Sequence, residues 1–209
     1  LEFRRVLFRS TSYSWNTSAT TAAITVSPST TTAYTVTGTN SASCTATATT
    51  TVTVNAVPSV SISGTTTICN GSSTTLTATG ASTYSWSPGG SSASAPTFSP
   101  TTNTTYTVTG TAANGCTATA SQLVTVNTLP TVTISGTSTI CNGASTTITA
   151  SGANSYSWNT GATTAALSVS PSATTTYTVT GTGTNSCTAT ATQTVTVNAL
   201  PSVSIAGTN

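Results

Sequence analysis

The landmarks of this chain return every 71–72 residues, and that period limits what it can fold into more than any other feature. The stretch 129–199 carries the full set: Leu-Pro-Thr-Val-Thr-Ile-Ser-Gly at 129–136, Ile-Cys-Asn-Gly at 140–143, Ser-Tyr-Ser-Trp at 155–158, Thr-Tyr-Thr-Val-Thr-Gly at 176–181 and Thr-Val-Thr-Val-Asn at 194–198. Upstream the same marks stand at Pro58, Ile68–Gly71, Tyr84–Trp86, Tyr106–Val108 and Val124–Asn127. From Pro58 to Pro130 is 72 residues and from Pro130 to Pro201 is 71. The expected organisation is therefore a partial first repeat at 11–56, whole repeats at 57–128 and 129–199, and the start of a fourth at 200–209. A unit of this length buries a small core.

Within each repeat the periodicity is two. Val132 and Ile134, Ile148 and Ala150, Tyr156 and Trp158, Leu167 and Val169, and Tyr177 and Val179 each share a face, with Thr or Ser mostly between them. Such alternation marks half-buried strands. The final strand shows it over its whole length, with Cys187, Ala189, Ala191, Val195 and Val197 on one parity and threonines on the other. Gln122 and Gln193 interrupt the apolar parity at equivalent places, which predicts a bulge or a sheet edge there. Turn residues at Asn70-Gly71, Pro88-Gly89-Gly90, Asn114-Gly115, Asn142-Gly143 and Thr184-Asn185-Ser186 cut each repeat into about seven short strands. All are antiparallel in pattern, and an all-β sandwich of two sheets follows. Its expected core residues are Trp15, Trp86 and Trp158 on the third strand, and Tyr34, Tyr106 and Tyr177 opening the sixth. The links Asn55–Pro58, Asn127–Pro130 and Asn198–Pro201 are short and end in Pro, so the repeats are expected to stack as a stiff rod.

Charge separates the first ten residues from the rest. Glu2, Arg4, Arg5 and Arg9 are the only formal charges, and 11–209 contains no Lys, Arg, Asp, Glu or His. Leu-Glu-Phe-Arg-Arg-Val-Leu-Phe-Arg-Ser matches no part of the repeat and resembles the in-frame translation of a sequencing adapter. It is expected to be foreign to the fold, although Val6 and Phe8 have the alternation of a strand that fills the place of those missing from the first repeat.

The inventory excludes whole classes of function. General acid–base catalysis and activated nucleophiles need groups that 11–209 lacks, so no enzyme activity is expected. Hard cations want carboxylates and zinc wants clustered Cys or His, so neither metal nor cofactor is expected. Nucleic acid needs a basic surface, which is missing. No stretch approaches the roughly 18 apolar residues of a membrane helix.

The motifs in combination resemble the PKD-like and Ig-like repeats of large secreted proteins of Bacteroidota. The likeness rests on Ile68-Cys69-Asn70-Gly71 with Leu76-Thr77-Ala78, on Tyr84-Ser85-Trp86-Ser87-Pro88-Gly89-Gly90, and on Thr105-Tyr106-Thr107-Val108-Thr109-Gly110 followed by Asn114-Gly115-Cys116. It covers everything from Thr11 onward and implies tandem Ig-like domains in a secreted or cell-surface, adhesin-like protein. The Gly-Asp-Gly turn of true PKD repeats is replaced here by Ser-Pro-Gly-Gly or Asn-Thr-Gly-Ala, without an acidic residue.

Three non-catalytic readings follow. The first is a structural spacer or stalk whose partners are neighbouring repeats. The second is a module binding polysaccharide or another cell surface through Tyr and Trp, set against the i, i+2 spacing that turns those rings to the core. The third is ice binding by outward threonines such as Thr45, Thr47, Thr188 and Thr190, set against the β-propensity of Thr and the twist of sandwich sheets.

Five cysteines lie at intervals of 25, 47, 25 and 46 residues. An exported protein oxidises its thiols. Topology favours Cys69 with Cys187 between repeats, because Cys69 and Cys116 fall at opposite ends of one sandwich. The alternatives are Cys69–Cys116 and Cys141–Cys187 within repeats, or free thiols.

Overall fold

Thr, Ser and small apolar residues in alternation make every regular element a strand. The computed structural model describes residues 2–4, as backbone, and 10–205, and no helix occurs among them. The expected strand at Val6 and Phe8 lies outside the described residues. Two compact units make up the chain. One comprises 1–61, 79–84 and 109–119; the other comprises 62–78, 85–108 and 120–209.

The third repeat, wholly in the second unit, shows the architecture best. Its strands are β13 (Thr133–Gly136), β14 (Thr139–Cys141), β15 (Thr146–Ser151), β16 (Ser155–Trp158), β17 (Ala166–Val169), β18 (Thr175–Thr182) and β19 (Thr188–Asn198). They form a three-stranded sheet, β13-β15-β17, and a four-stranded sheet, β14-β19-β18-β16. The inward positions of both sheets meet in one core of Ile140, Ile148, Ala150, Trp158, Tyr177, Val179 and Val195. Ile148, Val179 and Val195 are wholly buried, each contributing about 1.5–3 kcal/mol. This is an Ig-like β-sandwich.

The second repeat has the same seven strands: β6 (Ser61–Gly64), β7 (Thr67–Cys69), β8 (Thr74–Thr79), β9 (Thr83–Ser87), β10 (Thr97–Phe98), β11 (Thr104–Thr111) and β12 (Thr117–Asn127). Their sheet orders are β10-β8-β6 and β7-β12-β11-β9. Phe98 joins its core, stacked on Tyr106 at 4.0 Å and edge-on to Trp86 at 5.6 Å.

The sheets are not purely antiparallel. β14 pairs parallel with β19, Cys141 opposite Asn198, and β7 pairs parallel with β12, Cys69 opposite Asn127. The first strand of the second and of the third repeat is split in two. β13 belongs to the three-stranded sheet, and the chain then crosses so that β14 joins the other. Gly136 makes the crossing with φ +126°, and a Cβ there would meet the Thr147 carbonyl oxygen at 2.5 Å, so only glycine fits. Alternation cannot reveal this switch, because period two continues through it. The split also moves Trp86 and Trp158 to the fourth strand of their repeats.

The ladder of β18 with β19 is regular through Gln193, which lies opposite Tyr177, so there is no bulge. The edge alternative is the one taken: β14 meets β19 only from Thr196 onward. The Gln193 side chain enters between the sheets, and its amide donates to the Gly136 carbonyl at 3.3 Å, serving the backbone where the chain crosses.

In the first unit, β1 (Glu2–Arg4) pairs with β3 (Ala23–Thr25), and β2 (Ser12–Trp15), β4 (Thr32–Thr39) and β5 (Thr45–Val52) form a second sheet. Trp15, Ile24 and Tyr34 are its buried core residues. A repeat without its first two strands would leave Tyr13, Trp15, Ile24 and Val26 partly uncovered, but for Trp15 and Ile24 the structure differs. Both are buried, and β1 lies opposite Ile24 in the ladder. Tyr13 and Val26 are half-buried, and Ala46 and Ala48 of β5 lie open.

Candidate functional site

With no Lys, Arg, Asp, Glu or His in 11–209, the chemistry of the described chain lies in its cysteines and its backbone clamps. One cysteine pair and one such clamp meet where β7, the link 127–130 and the hairpin before β19 come together.

Each arm has a local reason for its shape. On one side, β7 runs along the end of β12, where Asn70 N–H donates to the Asn127 carbonyl at 2.8 Å. The turn after it closes through Ser72 N–H to the Cys69 carbonyl at 2.9 Å, fixing the Cys69 backbone. On the other side, Gly183 and Cys187 close a three-residue hairpin loop. Gly183 N–H donates to the Cys187 carbonyl at 2.8 Å and Ser186 N–H to the Gly183 carbonyl at 3.1 Å, with Ser186 at φ +63°. The Asn-Gly turn of the second repeat follows the same plan, with Gly115 in the left-handed position.

Asn185 ties this hairpin to the link. Its Oδ1 accepts from Cys187 N–H at 3.1 Å, and its Nδ2 donates to the Thr128 carbonyl at 2.9 Å. In the first unit, Asn114 does the same for the preceding link, accepting from Cys116 N–H at 3.0 Å and donating to the Ala56 carbonyl at 3.1 Å.

Of the pairings open to the sequence, the structure joins Cys69 to Cys187, with Cα atoms 5.7 Å apart across 118 residues of chain. Cys187 is 1% exposed. The pairs Cys69–Cys116 and Cys141–Cys187 are therefore not made. For Cys141 the reason is plain: it lies opposite Asn198, at the far end of the eleven-residue β19 from Cys187. That strand is roughly 36 Å long, far beyond the ~7 Å reach of a disulfide. Cys44 and Cys141 are exposed thiols, and Cys116 is half-buried with its thiol 3.9 Å from the Asn55 carbonyl. Beside the bridge, an open cleft of about 480 Å³ runs between the link at 128–130 and the turns at Gly152 and Thr184. It is lined by backbone and uncharged side chains.

The aromatic residues lie inside. Trp15, Trp86, Trp158, Tyr34, Tyr106 and Tyr177 are all buried. The indoles donate to the carbonyls of Thr21 at 2.9 Å, Ala93 at 3.0 Å and Thr164 at 2.9 Å, which removes the cost of hiding their N–H groups. Burial pushes the Tyr106 phenol above its ordinary pKa. Tyr84 and Tyr156 are half-buried, and their hydroxyls donate to the Ala81 and Ala153 carbonyls. Outward threonines bond each other across strands, Thr35 with Thr49 and Thr176 with Thr194, both at 2.9 Å. Turn chemistry in the sequence located the hairpins. The Asn185 and Asn114 clamps were missed, since nothing in the sequence says which carbonyl a turn asparagine will reach.

No family model and no curated protein sequence matches the chain. Its fold is similar to that of several solved structures. One is a calcium-stabilised adhesin with which an Antarctic bacterium reaches out and binds ice, 16% identical with a TM-score of 0.39 over 93% of this chain and 66% of that one. Another is the protocadherin gamma B4 extracellular domain, 12% identical with a TM-score of 0.33 over 94% of this chain and 47% of that one. A third is the mixed-linkage glucan utilisation protein SGBP-B of Bacteroides ovatus in complex with a heptasaccharide, 16% identical with a TM-score of 0.23 over 95% of this chain and 63% of that one. The chain thus spans under two thirds of each.

Proposed function

We propose that this chain is a spacer segment of a secreted or cell-surface, adhesin-like protein, built from tandem Ig-like repeats at 11–56, 57–128 and 129–199, with a fourth begun at 200–209 and a foreign segment at 1–10. The observation that carries this reading is the Cys69–Cys187 bridge between two successive repeats. A covalent tie at that place, with Asn185 holding the Thr128 carbonyl of the link, limits hinge motion between neighbours. Limiting hinge motion is what a spacer requires. The bridge also suits an oxidising, extracellular setting. Burial of the six core aromatics supports a scaffold over a polysaccharide-binding platform, because none of the exposed large apolar residues among those described is aromatic.

Spin labels on the second and third repeats test the proposal. The oxidised chain should give a narrow inter-label distance distribution, and C69S/C187S a broad one. Equal breadth in both would overturn it. Binding to a polysaccharide array would favour the surface-binding reading, and thermal hysteresis would favour ice binding.

A further inference from the structure

The bridge between Cys69 and Cys187 encloses nearly the whole of the two repeats it joins. Its cysteines stand 118 positions apart, and in these repeats only β6, β7 and β19 lie outside the loop it closes. Trp86, Phe98, Tyr106, Trp158 and Tyr177, their buried aromatic residues, are all inside. Apart from Cys187 itself, Ile68 and Val195 are the buried apolar residues left outside.

A chain drawn taut loads its shortest covalent path, because hydrogen bonds worth about 1 kcal/mol each yield long before a covalent bond does. Tension entering the second repeat along β6 and β7 arrives at Cys69, the last residue of β7. There the S–S bond offers a direct crossing to Cys187, one residue before β19 begins. The path then leaves along β19. Residues 70–186 hang from it without being part of it.

We infer that the bridge is a redox-operated lock on length: closed, it carries tension past residues 70–186, and opened by a dithiol, it gives their length up to the pull. Opening sends the load through the second repeat to the link at 127–130 and into β13 and β14. At about 3.3–3.6 Å per extended residue, the 118 positions hold about 400 Å. Use of the lock as a regulator of reach rests on the spacer reading. The path itself rests on connectivity alone.

The chemistry of opening is directional. Cys187 is enclosed and Cys69 half-buried, so a dithiol thiolate attacks the Cys69 sulfur and Cys187 leaves as a thiolate that takes up a proton. The second thiol of the reagent then displaces Cys69 from the mixed disulfide. Two protein thiols form, and the dithiol gives up two electrons and two protons to become a disulfide.

Stretching single full-length chains between peptide tags ligated at their two ends tests this. Without reductant, the fully unfolded wild type should fall short of C69S/C187S by about 400 Å of contour length. Dithiothreitol should release that length within the same molecules and leave C69S/C187S unchanged. The comparison does not require the variant to fold, since an unfolded chain has the same contour. A wild type that reaches full length without dithiothreitol would overturn the lock. So would a shortfall matching the 47 positions from Cys69 to Cys116 or the 46 from Cys141 to Cys187. Broad spin-label distances beside a locked length would sink the spacer reading and keep the lock; narrow distances beside full length would do the reverse.

Discussion

The Asn185 side-chain amide donates to the Thr128 carbonyl at 2.9 Å while its oxygen accepts from Cys187 N–H, so one residue shapes a hairpin and holds the link that enters the repeat. Asn185→Ala leaves the carbonyl to solvent and frees the loop. The expected cost is about 1 kcal/mol, read as a lower Tm. Faster amide exchange at Leu129 should accompany it, and unchanged exchange would show that the link is held by other means.

The bridge closes a loop of 118 residues, for which chain entropy predicts a contribution of about 4–5 kcal/mol. Adding a reductant, or making C69S/C187S, should lower the denaturant midpoint by a corresponding amount. C116S, at a thiol that makes no bridge, should leave it nearly unchanged.

Gly181 lies under Val132, with the Ala153 Cβ 2.7 Å from where its own Cβ would be. Gly181→Ala should cost about 1–3 kcal/mol by overpacking. Val132→Ala removes the obstructing methyls. In the double variant the two costs should therefore add to less than their sum, and strict additivity in the thermodynamic cycle would place the strain elsewhere.

Stability should be nearly flat from weakly acidic to neutral pH, because 11–209 has no carboxylate, His, Lys or Arg to titrate. Burial raises the Tyr106 phenol above its ordinary pKa of 10.0. The folded state thus keeps its proton longer than the unfolded state does. That contribution is complete below about pH 10 and is lost as pH rises from the unfolded pKa to the folded one. Tyr106→Phe should flatten this alkaline decline, and denaturant titrations across pH read it directly.

Strand positions and core residues could be read from the sequence because they follow from side-chain alternation, which survives in Val179 and Val195 as clearly as in Trp158. The cysteine pair was accessible because the two ends of a strand cannot touch. The parallel pairing of β14 was not. Its signal is a single glycine, Gly136, in a chain whose turns are full of glycines, and alternation runs through it undisturbed. Gln193 was read as a disturbance of β19, whereas its partner is a carbonyl on the opposite sheet, a contact that no spacing within one strand encodes.

The switch at Gly136 also decides how a repeat resists being pulled. The chain enters the third repeat on the side of β13 and β14 and leaves at the end of β19, and β14 and β19 run parallel. Tension between entry and exit draws these two strands past each other along their length. The ladder from Thr139–Cys141 to Thr196–Asn198 is then loaded in shear, with its hydrogen bonds strained together, whereas an antiparallel pair pulled from one end would unzip them in turn. A short parallel patch thus makes the second and third repeats mechanical clamps.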